Sequence, residues 1–382
     1  METNAIATSK LRLLLNAEAF GFGPTAAIAD CFPHLRKLFG TIGYVGKGHT
    51  LDLQRPLPYD RIHDLTALAN GSVEESSALA EIFQQYDIFL TALDCEMAER
   101  ALAAGLWTAI YDPLTWYWKT ISPAVKACDL YIAQDFFGVR ERMADQAECF
   151  GPAVVVPPIV SPTPTVSDDA PRDHVLLNLG GLNNPFWSAE ETLAYARLVV
   201  ASVVASVQPG AGEEPLPLII AANSAIAAAL PQYGVRNFSR EQMQAVLANS
   251  RYAFMTPGLG NIYDAARHRV PTIWLPPAND SQGQQLDLLT GHGMSDGSLD
   301  WHSFTGNEAI DYKGNQAAIL KRITAQVEAT AGSAELQSAL GRRMAQLVKT
   351  LASSGCSALT ARFGSGGAEQ LASILLDKAQ SK

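Results

Sequence analysis

The run Met255-Thr256-Pro257-Gly258-Leu259-Gly260-Asn261-Ile262-Tyr263-Asp264 carries the residues an anion site needs. It leaves the strand-like Tyr252–Met255 and enters a helical pattern. Gly258 and Gly260 let the backbone turn tightly and approach a ligand, and the first amides of a helix point at whatever lies beyond its N-terminus. A phosphate suits the amides of Gly258, Leu259, Gly260 and Asn261. Asp264, about one turn along the helix, suits a ribose hydroxyl. The same residues also read as a plain strand-to-helix turn with glycines for packing. A second turn, Asn178-Leu179-Gly180-Gly181-Leu182-Asn183-Asn184-Pro185, repeats this chemistry after the strand-like Val175–Leu179. Gly180 and Gly181 bring amides within reach of a ligand, and Asn183 and Asn184 add neutral donors. Two such turns on one sheet edge can clasp a diphosphate.

Three further stretches carry polar or aromatic chemistry. Pro276-Pro277-Ala278-Asn279-Asp280-Ser281-Gln282-Gly283-Gln284-Gln285 follows the strand-like Thr272–Leu275. Asp280, Gln284 and Gln285 offer the paired donors and acceptors that sugar hydroxyls require. The plainer reading is a helix N-cap at Asp280 or Ser281. Glu18-Ala19-Phe20-Gly21-Phe22-Gly23-Pro24 leaves the first strand-like run, and Glu18 reads as a base beside a binding site or as a solvated edge carboxylate. The dinucleotide fingerprint GxGxxG weakens here because Ala26 stands where its third glycine would be. In Tyr111-Asp112-Pro113-Leu114-Thr115-Trp116-Tyr117-Trp118-Lys119 the aromatic rings can stack on a planar acceptor while Asp112 offers a carboxylate. Such a cluster also serves as core or interface. The histidines form no HExxH or similar pair, so no metal is implied, and neither GxSxG nor the P-loop pattern occurs.

These turns need a scaffold that places the C-terminal ends of strands side by side. Short apolar runs alternate with longer helical patterns along most of the chain. Leu11–Ala17, Thr41–Gly46, Asp87–Thr91, Trp107–Tyr111, Leu130–Ala133 and Val154–Val156 read as strands. Helical stretches lie at Pro24–Leu38, Glu74–Gln84, Glu96–Ala104 and Phe136–Ala147. This alternation predicts βαβ units and a parallel sheet. The proline-rich 157–171 breaks the pattern and reads as a linker. The alternation then restarts through Val175–Leu179, Leu218–Ala222, Tyr252–Thr256 and Thr272–Leu275. Ser188-x-x-Glu191 and Ser239-x-x-Gln242 have the spacing of capping boxes. The expected architecture is α/β, with two Rossmann-like domains facing across a cleft. Residues 1–160 form an N-terminal domain, 161–172 the linker, and 173–355 a C-terminal domain. Residues 356–382 form a C-terminal helix that packs back on the first domain.

The chain's 382 residues favour two domains. It is 48% hydrophobic and 17% charged, with 28 Lys+Arg against 38 Asp+Glu, a formal charge of −10. An acidic chain lacks the clustered cations that nucleic-acid binding needs. The five cysteines (Cys31, Cys95, Cys128, Cys149 and Cys356) are scattered without CxxC, which fits a reducing compartment. The N-terminal apolar run is too short for a signal peptide, and no run reaches the roughly 18 residues of a membrane span. A cytoplasmic protein is expected, and its oligomeric state is left open between a monomer and a homo-oligomer.

The order LNLGGLNNP, several βα units, TPGLGNIYDAARHRVPTIWLPP and NDSQGQQ resembles the donor half of GT-B glycosyltransferases, in particular the MurG-like UDP-sugar enzymes. The resemblance spans nearly the whole chain, and it implies that residues 1–160 bind the acceptor and residues 173–355 the nucleotide-sugar donor. It implies that Gly258 and Gly260 meet the diphosphate, Asp264 the ribose, and Asp280, Gln284 and Gln285 the sugar. The chain departs from that pattern with Asp264 where many relatives carry glutamate, and with Gly260-Asn261 where others carry Ala, Ser or Thr. Within this superfamily the stretch Glu18-Ala19-Phe20-Gly21-Phe22-Gly23, with LNLGGLNNP and PGLGNIYDA, further resembles the cytosylglucuronate synthase group.

That resemblance implies an inverting transfer of glucuronate from UDP-glucuronate to cytosine N1, in nucleoside antibiotic biosynthesis. Phe20, Gly21, Phe22, Gly23 and Trp116 would then face the acceptor, and Glu18 first or Asp112 second would act as base. No metal or other cofactor is required, the UDP-sugar being a co-substrate. A glucuronate carboxylate would call for Arg251, Arg267 or Arg269, or for Asn183 and Asn184. The alternatives are a UDP-sugar epimerase or hydrolase on the same fold, and a non-catalytic sugar-nucleotide-binding protein. A NAD-dependent dehydrogenase ranks last.

Overall fold

The computed structural model describes residues 9–161, 172–182, 187–207, 215–351 and 355–381. The chain divides into two compact units, Met1–Val160 with Phe363–Lys382 and Ser161–Arg362. Most of the proline-rich linker, and the pair Asn183 and Asn184, lie outside the described residues.

In the first unit the strands are β1 (Ser9–Ala17), β2 (Phe39–Gly46), β3 (Arg61–Asp64), β4 (Ile88–Ala92), β5 (Trp107–Asp112), β6 (Leu130–Gln134) and β7 (Ala153–Val156). They form one parallel sheet in the order β3-β2-β1-β4-β5-β6-β7. Successive side chains on a strand point to opposite faces, so a strand covered on both sides reads as a continuous apolar run. The run Leu13-Leu14-Leu15 is that case, each residue being 0% exposed. Leu13 and Leu15 join a core with Phe32, Leu371 and Leu375, whereas Leu14 joins Val45, Phe83 and Phe89 on the other side. Leu371 and Leu375 belong to the last helix, Gly367–Gln380, which packs against the helix Gly23–Leu38 of this same unit.

No pattern in the sequence predicts β3. It is a short edge strand, Arg-Ile-His-Asp, with one buried residue, His63, so no apolar alternation announces it. The helix expected over Phe136–Ala147 begins only at Val139. Gly138 at φ 78° takes a left-handed turn first, and Phe136 and Phe137 are buried before it.

The second unit holds β8 (His174–Asn178), β9 (Leu218–Ala221), β10 (Ser250–Met255), β11 (Thr272–Trp274) and β12 (Gly297–Ser298). These also pair in parallel, in the order β12-β11-β10-β8-β9. Val175 and Leu177 pack with Val199 and Val203 of the helix Ala189–Ser206, and Ile323, Val327 and Met344 complete that core. Ser188 and Ser239 both close the capping boxes expected of them. Glu191 Oε2 accepts from Ser188 N–H at 2.7 Å and Gln242 Oε1 from Ser239 N–H at 3.0 Å, the hydroxyls accepting in return. Each cap satisfies amides that the first helical turn leaves without a partner, worth about 1 kcal/mol.

Both sheets reverse direction once. The first runs outward from β1 to β2 and β3, then resumes on the far side of β1 with β4. The second places β9 on one flank of β8 and β10 on the other. The gaps β1/β4 and β8/β10 are therefore the switch points, where the connecting loops separate and leave a crevice at the strands' C-terminal ends.

Candidate functional site

Each switch point carries residues singled out from the sequence. In the first unit, β1 ends at Ala17 beside Ala92 of β4, and the Glu18 N–H donates to Ala92 O at 2.9 Å. Beyond β4 the chain makes a strained step. Leu93 has φ 71°, an unfavourable left-handed conformation for a branched residue, and its carbonyl accepts the Cys95 N–H at 2.9 Å. The tight turn brings Asp94 to the start of the helix Cys95–Ala103, where its carboxylate caps Met97 N–H at 2.9 Å.

A cavity of about 270 Å³ opens here, lined by Glu18, Leu93, Cys95, Glu96, Asp112, Trp118 and Tyr131, with Thr115, Thr120, Ile121, Ser122, Val125 and Phe150. Both carboxylates proposed as bases, Glu18 and Asp112, thus face one cavity. Its walls contain acids and no Lys, Arg or His. Burial, reinforced by the charges of Asp94 and Glu96 and opposed by the Ala19 amide, pushes the Glu18 carboxyl up to about 7. A carboxyl there is part-ionised at neutral pH and suited to accept a proton. Burial also raises the Asp112 carboxyl, against the hydrogen bonds it receives from Tyr131, Leu114 and Trp118. Cys95 is held up at about 11, chiefly by burial, so it is a thiol rather than a nucleophilic thiolate.

The remaining acceptor candidates sit nearby in the chain but outside this lining. Gly21 takes φ 57°, and its carbonyl lies 2.8 Å from His49 Nε2. Phe22 meets the His49 ring edge-on at 5.7 Å. Phe20 is half-buried and Gly23 exposed, an added Cβ at Gly23 meeting nothing within 4 Å. Trp118, not Trp116, lines the cavity. Trp116 packs against Phe136 at 5.6 Å and Tyr117 at 5.8 Å, on the core side of the aromatic cluster.

In the second unit the helix Leu259–His268 starts from Gly258 without a side-chain cap. The helices before and after it, Arg240–Ala248 and Asp280–Gly291, are capped by Ser239 and Asn279. The sequence offers Asp280 or Ser281 for the second of these caps. Asn279 takes the position because its Oδ1 reaches Gln282 N–H at 2.9 Å, leaving Asp280 as the first helical residue.

The first-turn amides of Leu259, Gly260 and Asn261 have no partner within their helix. Gly258 has an ordinary extended backbone, φ −82° and ψ 145°, so its conformation does not demand glycine. A Cβ at Gly258 or Gly260 would meet nothing within 4 Å. The two glycines hold open space rather than backbone geometry.

Asn178, at the end of β8, ties this turn to the neighbouring one. Its Oδ1 accepts from Gly180 N–H at 2.9 Å, and its Nδ2 donates to Asn261 Oδ1 at 3.2 Å. Asn261 Nδ2 in turn donates to Thr256 O at 3.0 Å. Gly180 and Gly181 form a short 3-10 turn with Leu182. Asn178 is the first residue of the turn 178–185, and no local pattern marks its link to Asn261, 83 positions away.

Asp264 is 4% exposed and makes a two-pronged ion pair with Arg240, Nη1 to Oδ2 at 2.6 Å and Nη2 to Oδ1 at 3.0 Å. Arg240 opens the helix Arg240–Ala248 that runs back into β10, so it stands near the strands' C-terminal edge. Arg251, Arg267 and Arg269 do not. Arg251 is at the beginning of β10, and the other two end a ten-residue helix, about 15 Å from its start. They are too far from Gly258 to meet a ligand bound there.

Among the candidate sugar-binding residues, Gln284 Nε2 donates to Tyr312 O at 2.8 Å, and Gln316 lies 3.4 Å from Asp280 Oδ1. Gln285 is 2% exposed, and its Oε1 has no partner among the described residues. Among the described residues no group of His, Cys, Asp or Glu is placed to hold a metal ion, and no helix is long and apolar enough to cross a membrane.

Neither a protein-family model nor a curated protein sequence matches the chain. Solved structures do. UGT89C1 of Arabidopsis thaliana, complexed with UDP-L-rhamnose, aligns with a TM-score of 0.50 at 11% identity, over 97% of this chain and 100% of that one. The fold is GT-B. Its two Rossmann-like domains are the sheets of seven and five parallel strands described above. A UDP-glucosyltransferase from Polygonum tinctorium capable of glucosylating indoxyl aligns at a TM-score of 0.49 and 13% identity, over 97% of this chain and 100% of that chain. MurG of Acinetobacter baumannii aligns at 0.48 and 11%, with coverage of 97% and 100%. At these identities the likeness is one of GT-B architecture, and chemistry has to be argued from the site.

Proposed function

We propose that the protein is an inverting, metal-independent UDP-sugar glycosyltransferase. One observation carries this reading: the uncapped helix start at Gly258–Asn261, beside Asn178 at the β8/β10 switch point, with clear space over both glycines. The Gly258 N–H is taken by Thr256 O at 2.8 Å, but the amides of Leu259, Gly260 and Asn261 have no acceptor within the helix, and with the positive end of the helix dipole they favour a diphosphate at that place. Asp264 keeps a second lone pair on each oxygen beside its contacts with Arg240, enough to accept from a ribose hydroxyl. Asp280, Gln284 and Gln285 serve the sugar, and Gln285 brings a buried oxygen in need of a donor.

The favoured acceptor is cytosine and the favoured donor UDP-glucuronate, in nucleoside natural-product biosynthesis. The acceptor preference draws support from the first unit's cavity, whose acidic walls suit a neutral N–H compound and disfavour an anion. Glu18 removes the N1 proton, and the N1 electron pair forms a bond to the anomeric carbon. The bond from that carbon to the UDP oxygen breaks, and UDP leaves with the electron pair. Attack opposite the leaving group inverts the anomeric centre. A positioned base contributes roughly 10²–10⁴-fold, and fixed donors at the departing diphosphate add to it.

Thermal denaturation with a panel of UDP-sugars tests the donor site, because a ligand that binds only the native state stabilises it by about 2.7 kcal/mol at one hundred times its Kd. UDP-glucuronate is expected to stabilise more than UDP-glucose or UDP-N-acetylglucosamine. Incubation with UDP-glucuronate should release UDP only when cytosine is present. Release without any acceptor would make the protein a hydrolase, and no stabilisation by any uridine nucleotide would end the enzyme reading.

A further inference from the structure

The two carboxylates in the first unit's cavity are held in opposite ways. Glu18 receives one short-range contact, the Ala19 N–H at 3.1 Å. Asp112 is 3% exposed, and both of its oxygens are engaged. Its Oδ1 accepts from Leu114 N–H at 2.6 Å, and its Oδ2 from the Tyr131 hydroxyl at 2.6 Å and the Trp118 indole N–H at 2.8 Å. Tyr131 and Trp118 are themselves walls of the cavity. Protonating Asp112 would set its new O–H against donors already in place, and a buried donor without an acceptor is costly.

Trp118 is fixed at more than its indole nitrogen. Its backbone carbonyl accepts from Arg142 Nη2, and Tyr117 meets its ring edge-on at 5.0 Å. The ring is therefore a held surface and not a loose side chain. Charge-assisted hydrogen bonds of this kind are roughly twice as strong as neutral ones, which makes a buried carboxylate an effective anchor for an indole.

We propose that Asp112 is a positioning residue: through the Trp118 indole N–H it fixes the ring as the stacking wall of the acceptor site, while Glu18 alone takes the proton. The inference rests on the acceptor-site reading above and gives that site a substrate class. The acceptor is a flat, uncharged or cationic heterocycle with an ionisable N–H. Aliphatic alcohols gain little from an aromatic wall, and a carboxylate would face Glu18, Glu96 and Asp112 with no cation among the lining residues.

The test compares wild type, Asp112→Asn, Trp118→Phe and the double variant. Cytosine is the acceptor probe, glycerol the non-planar control and UDP-glucuronate the donor. Cytosine binding is also followed without donor by saturation-transfer NMR, so that one readout is independent of turnover. Each single substitution should weaken cytosine binding and raise its KM about ten-fold, a loss of about 1.4 kcal/mol. kcat should change by less than about three-fold, and the rising limb of the pH profile near 7 should persist, because the base is untouched. The double variant should cost no more than Trp118→Phe alone, since both substitutions act on the same charge-assisted bond, Asn keeping an acceptor oxygen but not the charge.

Loss of the pH limb in Asp112→Asn, with kcat down about a hundred-fold and KM unchanged, would make Asp112 the proton acceptor and overturn the proposal. So would wild-type affinity for cytosine in Trp118→Phe, which keeps an aromatic ring and tests the anchor even where Asp112→Asn fails to fold. Wild type that binds UDP but no flat heterocycle, with cytosine, uracil and indole as probes, overturns the substrate class and leaves the donor reading standing. Wild type that binds flat heterocycles but no uridine nucleotide ends the glycosyltransferase reading instead.

Discussion

Asn178 Nδ2 donates to Asn261 Oδ1 across 3.2 Å, and that bond joins the turns leaving two neighbouring strands, β8 and β10. Asn178 also holds the Gly180 amide, so one side chain sets the spacing of both glycine-bearing turns. A diphosphate clasped between them depends on that spacing. Asn178→Ala should therefore lower UDP affinity about ten-fold, as measured by calorimetry, while costing the fold about 1–3 kcal/mol for its two hydrogen bonds. Equal losses of stability and affinity in denaturant and binding titrations would show that Asn178 merely supports the sheet.

The glycines of the same turn offer a sharper separation of stability from binding. Gly260 lies in the first turn of a helix, without positive φ and with vacant space where a Cβ would go. Gly260→Ala should stabilise the protein by about 0.5–1 kcal/mol, because alanine is the better helical residue. The added methyl occupies the ligand's approach, so UDP affinity should fall about ten-fold or more. Unchanged UDP binding in an alanine variant would mean that the space serves no phosphate.

The Glu18 carboxyl, lifted to about 7, gives a pH dependence of definite sign. A base must be ionised, so the rate should rise with pH through about 7 and level off above it. Glu18→Gln should remove that limb and about 10²–10⁴ of the rate. In the folded protein the group binds its proton more tightly than at its ordinary 4.5, so the native state holds more protons than the unfolded one between those values. Its contribution to stability falls as pH rises from about 4.5 to about 7. Glu18→Gln should thus raise the melting temperature at pH 8 and change it less at pH 4.5.

Asp94 contributes to that shift through its charge and also caps the helix Cys95–Ala103. Asparagine caps about as well as aspartate but carries no charge. Asp94→Asn should keep the fold and move the kinetic limb to lower pH. A limb that stays in place would assign the Glu18 shift to burial and Glu96, without Asp94.

Breaking the Arg240–Asp264 pair tests its burial. With the two side chains 22% and 6% exposed, Arg240→Gln leaves a largely buried carboxylate without its cation. Such losses cost about 3–5 kcal/mol for fully buried pairs, and the partly exposed guanidinium places this one toward the lower end. Urea denaturation measures it, and bound UDP should recover part of the loss if a ribose hydroxyl then supplies the carboxylate with a donor.

Much of the scaffold was legible along the chain, because it is specified locally. The apolar runs of β1, β4, β5 and β6, the capping boxes at Ser188 and Ser239, and the turn at Gly258 each depend on residues a few positions apart. The short edge strand Arg61–Asp64 is hidden because edge pairing needs no apolar alternation, and the cap falls on Asn279 instead of Asp280 or Ser281 because Asn, Asp and Ser in a row are chemically similar candidates. What the sequence determined by itself was the parallel α/β class and the kinds of group at the strands' ends. Tertiary structure alone decided which of those groups meet. Sheet order places Glu18 beside Leu93 and Asp94, Asn178 beside Asn261, and Arg240 on Asp264, while it leaves Arg251, Arg267 and Arg269 at the wrong edge. Residues from 24 to 83 positions apart cannot be paired from local pattern, since their contact is set by which strands share a ladder and by the direction each helix runs back across the sheet.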